Sequence, residues 1–327
     1  MRPSALTDFL ARSGLTARGS EARCENLAGG VSSDIWRVDL PSGPICVKRA
    51  LPRLRVAQLW EAPIERNRYE RMWLQSAAAA RPGAVPNVLA WDDAHGLFAM
   101  EFLDYPTWKS VLRSGAADAA FAAEVGSALA AIHAATAGRS EIEAQFRTDA
   151  IFHAIRLEPY LVATAAHHAD LRETLFQLVE RTAAAKRCLV HGDVSPKNIL
   201  VAPAGPVFLD AECAWYGDPA FDLAFCLNHL FLKCVWVPRA AEGFLACFDS
   251  LSRSYLGKVD WEAAAALEER TATLLPGLLL GRIDGKSPVE YLDEPQRARV
   301  REIARGFLAH PVSTLKDMRK AWRESLT

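Results

Sequence analysis

The residues of this 327-residue chain with the clearest chemical potential lie in LVHGDVSPKNIL, Leu189 to Leu200, and in VFLDAECAWYGDPAFDLA, Val207 to Ala224. Asp193 stands in a polar loop between apolar runs, Asn198 follows in the same loop, and Asp210 closes the run VFL. Phosphoryl transfer asks for little covalent chemistry from a protein. It needs a carboxylate aimed at the attacking hydroxyl, and oxygen ligands that hold magnesium on the phosphates. Asp193 suits the first task. Asn198 and Asp210 suit the second, because Mg²⁺ takes hard oxygen ligands and keeps coordination sites for phosphate and water. If the segment stays extended, Asp210 and Glu212 fall on one side, which makes Glu212 a further metal ligand or a substrate contact.

Loops of this kind must be held rigidly. Leu189-Val190, Ile199-Leu200-Val201 and Val207-Phe208-Leu209 read as short strands that do so. Far upstream, Ser4 with Leu6, Phe9, Leu10 and Leu15 predicts a short amphipathic helix ended by Gly19. From Asn26 to Val47 the texture is β-like, with IWRVDL, a PSGP turn and ICVK. A charged helix over residues 63–80 carries Met72, Trp73 and Leu74 on its apolar side, and VLAWDDAHGLFAMEFL then predicts two strands around a turn at Asp92 to Gly96. Beyond Asp104 the period becomes helical, with Phe121, Val125, Leu129 and Ile132 on one face. The expected class is α+β: a small antiparallel β-sheet lobe over 1–103 and a larger, mainly helical lobe over 104–327, divided by the switch in period rather than by a linker.

HGDVSPKNIL together with LDAECAWYGDPAFDLA resembles the catalytic and metal-binding loops of the aminoglycoside phosphotransferase and choline kinase superfamily. The resemblance implies a two-lobed protein-kinase-like fold, a catalytic base at Asp193, magnesium ligands at Asn198 and Asp210, a loop-bracing Asp222 and a loop-organising His191. Lys48, at the end of ICVK, has the place of a lysine that pairs with the α and β phosphates of ATP. Its acidic anchor is Glu70, whose carboxylate the spacing to Leu74 puts beside the packed face, or Glu65. Gly29, Gly30, Ser32 and Ser33 suit a turn covering the phosphates, although paired glycines before a strand also make a plain turn. Met100, Glu101 and Phe102 are the expected hinge whose backbone bonds adenine.

Within that superfamily the first lobe resembles 5-methylthioribose kinase through VKRALPRLRVAQLWEAPIERNRYERMWL, with its Arg-x-x-x-Glu helix, and the similarity continues in DAECAWYGDPAFD and GRIDGKSPVEYL. The catalytic loop, SPKN, is closer to the general superfamily form. Where the methylthioribose enzymes carry paired arginines this chain has Gly281-Arg282, so Arg282 is either a substrate contact or an ordinary surface arginine. The implied activity is ATP- and Mg²⁺-dependent phosphorylation of a hydroxyl on a sugar, an aminoglycoside or an amino alcohol, a methylthioribose-like sugar or an aminoglycoside being favoured. An aminoglycoside would want an acidic pocket, choline an aromatic and acidic one, methylthioribose basic contacts.

Composition narrows the field. Lys and Arg number 38 against 39 Asp and Glu, a balance that offers no excess charge to a nucleic-acid backbone. The seven cysteines are scattered without a CxxC pair and read as reduced. The most apolar stretch, Pro219 to Val237, contains Asp222, Asn228, His229 and Lys233, so it reads as a buried helix rather than a membrane span. No signal-peptide pattern opens the chain, and a cytoplasmic location is the expectation. His167 and His168 read as solvated, and His133 as buried and hydrogen-bonded. A nucleotide-binding sensor without turnover is the alternative function, and a protein kinase is disfavoured because no segment ending in APE follows Asp210.

Overall fold

Alternation along the early strands sets up two different faces, and the computed structural model, which describes residues 3–17, 22–27, 32–53 and 63–326, shows what covers each. Five antiparallel strands, β1 (Arg23–Asn26), β2 (Ser33–Leu40), β3 (Gly43–Ala50), β4 (Val88–Asp92) and β5 (Leu97–Glu101), stand in the order β1-β2-β3-β5-β4. Helix α1 (Pro3–Arg12) lays Leu6, Phe9 and Leu10 on the face made by Trp36, Val38, Ile45, Val47 and Ala99. Gly14, at φ +70°, follows this helix, so it ends before the expected Gly19, which lies outside the described residues.

The opposite face carries Cys46, Phe98 and Met100, packed with Trp73, Leu74 and Ala77 of helix α2 (Arg66–Ala80). Side chains alternate faces along a strand, so Lys48, two residues from Cys46, turns toward α2. Fully burying Trp73 contributes on the order of 3 kcal/mol and fixes the helix on the sheet.

Beyond Glu101 the chain is mainly helical. Thr107 and Asp118 cap helices α3 (Trp108–Arg113) and α4 (Ala119–Thr136) by accepting backbone N–H bonds. In α4 the face of Phe121, Val125, Leu129 and Ile132 is buried, and Gly126 lets the backbone of Leu251 approach closely, since a Cβ there would strike the Leu251 carbonyl. The apolar stretch forms the helix Pro219–Trp236, buried along its length against the helices 241–256 and 264–284. Two small hairpin-like pairs carry the polar loops: β6 (Cys188–Val190) with β9 (Trp215–Gly217), and β7 (Ile199–Ala202) with β8 (Gly205–Phe208). Phe208 N–H bonds the Ala84 carbonyl at 2.8 Å and Val201 N–H the Pro106 carbonyl at 2.9 Å, tying the second hairpin to the segments after α2 and before α3. Six of the seven cysteines are buried thiols and Cys24 is exposed; all are unpaired.

Candidate active site

Lys48 lies within β3 rather than at its end, and its register with Ile35 and Phe98 holds its backbone on both sides. Its Nζ is 2.7 Å from Glu70 Oε2 and also meets Asp210 Oδ1, a contact that spans the sheet lobe and the loop after β8. Glu70 is therefore the acidic partner; Glu65 precedes α2 and is exposed. Burial works against the Lys48 charge, but Asp210 and Glu70 outweigh it and hold its pKa above the ordinary lysine value. Burial pushes Glu70 up to about 7 against the pull of Lys48. Asp210 is half-buried, with 27% of its side chain exposed, and although desolvation pulls the other way Lys48 and Lys197 hold its carboxyl well below the usual range, so it is ionised.

Between β6 and the turn Pro196–Asn198 the chain makes the polar loop. Asp222 accepts from the N–H groups of His191 and Gly192, both at 2.7 Å, and is backed by His133 at 3.2 Å, whose other ring nitrogen meets Tyr255 Oη. Asp193 N–H donates to His191 Nδ1 and His191 Nε2 donates to the Leu209 carbonyl, which fixes one neutral tautomer. Burial lowers the His191 pKa, consistent with a structural ring against the edge of Trp73 rather than a proton carrier. Gly192 has φ +79°, and a Cβ there would lie 2.7 Å from Cys213 Cβ and Cys213 O, so glycine is required by both backbone and space.

The loop presents Asp193 in a defined way. Oδ2 is 2.8 Å from Arg156 NH2 and 3.3 Å from Lys197 Nζ, while Oδ1 has no hydrogen-bond partner among the described residues. Asn198 donates its amide to the Asp193 carbonyl at 3.1 Å, leaving its side-chain oxygen as the atom for a cation. Asp210 is the one non-glycine residue with positive φ among the described residues, at +67°. The segment is thus not extended, and the same-side argument for Asp210 and Glu212 fails. Glu212 Oε2 instead takes Arg66 Nε at 3.1 Å, and Arg66 also donates to the carbonyls of Ser32 and Leu51. Glu212 is a tie to the sheet lobe through Arg66.

Other expected positions fare differently. Gly29 and Gly30 lie outside the described residues; Ser32 offers its carbonyl to Arg66, and Ser33 is buried at the start of β2 with its hydroxyl unpartnered. Met100 and Glu101 belong to β5, and Glu101 N–H already bonds the Asn87 carbonyl, so Phe102 is the first residue past the sheet. Arg282 is half-buried and bonds Tyr160 Oη, the Ser287 carbonyl and Ser287 Oγ, with its Nε buried and unpartnered. His168 is not solvated: it is buried between Asp284 at 2.9 Å and Arg305 at 2.7 Å.

Sequence reading missed Arg156, Lys197 and the role of Arg66. Arg66 left a signal, being four residues before Glu70 on the same helix face. Arg156 left none, since it projects from a π-form helix, His153–Val162, with Pro159 inside it, a geometry that no side-chain period announces.

A small antiparallel sheet and a helical lobe, joined across a lysine, two acids and a braced aspartate loop, define a protein-kinase-like molecule. Residues 23–267 match the phosphotransferase enzyme family, and the chain belongs to it. It is 26% identical over 221 residues to the methylthioribose kinase of Pectobacterium atrosepticum, covering 59% of this chain and 55% of that protein. It is 24% identical over 223 residues to methylthioribose kinase 2 of Oryza sativa subsp. japonica, covering 58% of this chain and 52% of that protein. The chain spans about half the length of the curated relatives it matches. Among solved structures it is similar in fold to a Plasmodium vivax ethanolamine kinase, with TM-score 0.58, 11% identity and coverage of 91% and 86%. An amicoumacin kinase solved with AMP-PNP and Ca²⁺ gives TM-score 0.57, 14% identity and coverage of 96% of each chain.

Proposed function

We propose that this chain transfers the γ-phosphoryl group of ATP to a hydroxyl of a small, sugar-like molecule, with Mg²⁺ as the metal. The observation that carries the reading is the pair of restraints on the two aspartates: Lys48 joins Glu70 to Asp210, while Arg156 and Lys197 hold one oxygen of Asp193. Asp193 Oδ1 receives the proton of the acceptor hydroxyl as its oxygen bonds to the γ-phosphorus and the bond to the β–γ bridging oxygen breaks, giving ADP and a phosphate monoester. Lys48 steers the α and β phosphates, and Phe102 and the residue after it are the backbone available to adenine.

The donor set suits magnesium: an ionised Asp210 and the Asn198 side-chain oxygen, hard ligands that leave room for phosphate and water. When bound, the metal neutralises charge on the β and γ phosphates. The names of the curated relatives favour a sugar acceptor. The site's surroundings disfavour an aminoglycoside, which needs acidic contacts, because cations crowd Asp193.

The test is ADP release from ATP and Mg²⁺ over a panel of sugars, aminoglycosides and amino alcohols. The expected result is turnover on hydroxylated acceptors that Asp193→Asn lowers by about 10²- to 10⁴-fold. ATP binding with no turnover on any acceptor would favour the silent sensor.

A further inference from the structure

Lys233 is a charge-bearing group that the phosphotransferase reading leaves unused. Its side chain is only 1% exposed, on the helix Pro219–Trp236, with Nζ 3.6 Å from the ring centroid of Tyr291 and 4.3 Å from that of Trp236. No hydrogen-bond acceptor or carboxylate among the described residues contacts its Nζ. The one acid that acts on it, Glu290, is bound to Lys109. Two more polar groups in the same region are buried and unpartnered, Arg282 Nε and Tyr291 Oη. Burying such groups without acceptors costs stability.

This cluster is continuous with Asp193. Arg156, which holds Asp193, lies 5.8 Å from the ring centroid of Tyr160, and Arg282 lies 5.7 Å from the same ring and bonds its hydroxyl. Phe225 meets Tyr160 and His229 edge to face, with ring centroids 5.4 Å from each. Burial, and after it the charge of Arg282, lowers the His229 pKa and keeps its ring neutral. Arg156 and Arg282 both face Tyr160 and put positive charge beside the base, a field that repels ammonium-bearing acceptors and attracts oxyanions.

We propose, on the basis of the phosphotransferase reading, that the acceptor carries an oxyanion, carboxylate or phosphate, which Arg282 and Lys233 bind, Lys233 taking up a proton from solvent as the oxyanion arrives, while the acceptor hydroxyl meets Asp193. The rings of Trp236 and Tyr291 form the wall of this subsite, and Lys233 ends with the acceptor the fold does not supply.

The test has two arms. In the first, calorimetric titrations with acetate and with inorganic phosphate are run on the full chain with Mg²⁺ and AMP-PNP saturating the nucleotide side, for wild type, Lys233→Met and Arg282→Gln. Saturable binding that either variant weakens at least tenfold supports the subsite, and whichever ion binds more tightly identifies the oxyanion. Equal binding in all three proteins, or none, overturns it. In the second arm ADP release is compared for hydroxy acids, hydroxy phosphates, their neutral amides and alcohols, and choline-type amino alcohols. Acidic acceptors with KM raised at least tenfold in Lys233→Met, and kcat and the KM for ATP unchanged within threefold, support the proposal; lower KM values for cationic acceptors sink it. Loss of AMP-PNP binding or of all turnover counts against the kinase reading, whereas the anion titration decides the subsite by itself.

Discussion

Arg156 holds Asp193 from a distant helix: its NH2 is 2.8 Å from Oδ2, and its Nε donates to the carbonyl of Gly192 at 2.5 Å. One guanidinium therefore fixes both the carboxylate and the backbone just before it. Burial opposes the charge, but Asp193 outweighs it and keeps the Arg156 pKa above its ordinary value. Arg156→Met leaves the buried Asp193 carboxylate with the exposed Lys197 as its remaining cation, and stability should fall by about 1–3 kcal/mol in urea unfolding. Misplacement of the base should lower kcat about 10²-fold. As a positioning residue its loss should leave the KM for ATP within twofold, and Arg156→Lys should restore part of kcat.

Asp222 gathers the amides of His191 and Gly192 on its two oxygens. Asp222→Asn keeps the shape but offers one acceptor oxygen where two are needed. The expected loss is about 1–3 kcal/mol, and faster hydrogen exchange should appear at these two amides before anywhere in β6.

Gly192→Ala tests the loop from the backbone side. A left-handed φ of +79° and a Cβ 2.7 Å from Cys213 O cannot both be relieved without moving the loop. The variant should lose at least about 1–3 kcal/mol and most of its turnover, measured by urea unfolding and ADP release. Wild-type turnover in it would mean that this loop does not position Asp193.

Lys233 makes the stability of the chain depend on pH. Burial, then Lys109 and Arg282, pushes its pKa down to about 6, with Glu290 opposing. The groups facing it are His229 and Trp236 on its own helix, Lys109 of α3, Arg282 of the helix 264–284, and Glu290 with Tyr291 after that helix. The rings favour the ammonium but do not replace its lost water. Between the native value near 6 and the unfolded value of 10.5, the unfolded chain binds the additional proton, so this contribution falls as pH drops through that window and is flat below it. Lys233→Met should therefore be more stable than wild type, with a gap in Tm that widens from pH 10 to pH 6 and then stays constant. A gap independent of pH would show that Lys233 keeps its proton in the fold.

Much of the scaffold was legible because it rests on periodicity. Alternation in IWRVDL and ICVK, the glycine-bearing turn at 92–96, and the helical face of Phe121, Val125, Leu129 and Ile132 report burial locally, and the strands and helix they imply are present. The polar loop was legible because its residue types and spacing are contiguous. That Glu101 N–H is taken by the Asn87 carbonyl was not legible, because the sheet brings that partner in. The shared side of Asp210 and Glu212 was lost to a single left-handed residue, which no pattern of side chains announces.

By itself the sequence determined the α+β class, the antiparallel strand texture, the grouping of the oxygen-bearing side chains Asp193, Asn198 and Asp210 in one short stretch, and the presence of a lysine with an acidic helix behind it. Those are properties of short segments, where side-chain type and period carry the information. Tertiary structure alone decided that Lys48 reaches Asp210, that Arg66 takes Glu212, that Arg156 holds Asp193, that Arg282 meets Tyr160 and that Lys233 meets Tyr291. Each of these joins residues far apart in the chain, and their meeting depends on how helices pack and where a backbone turns, quantities that no local pattern encodes.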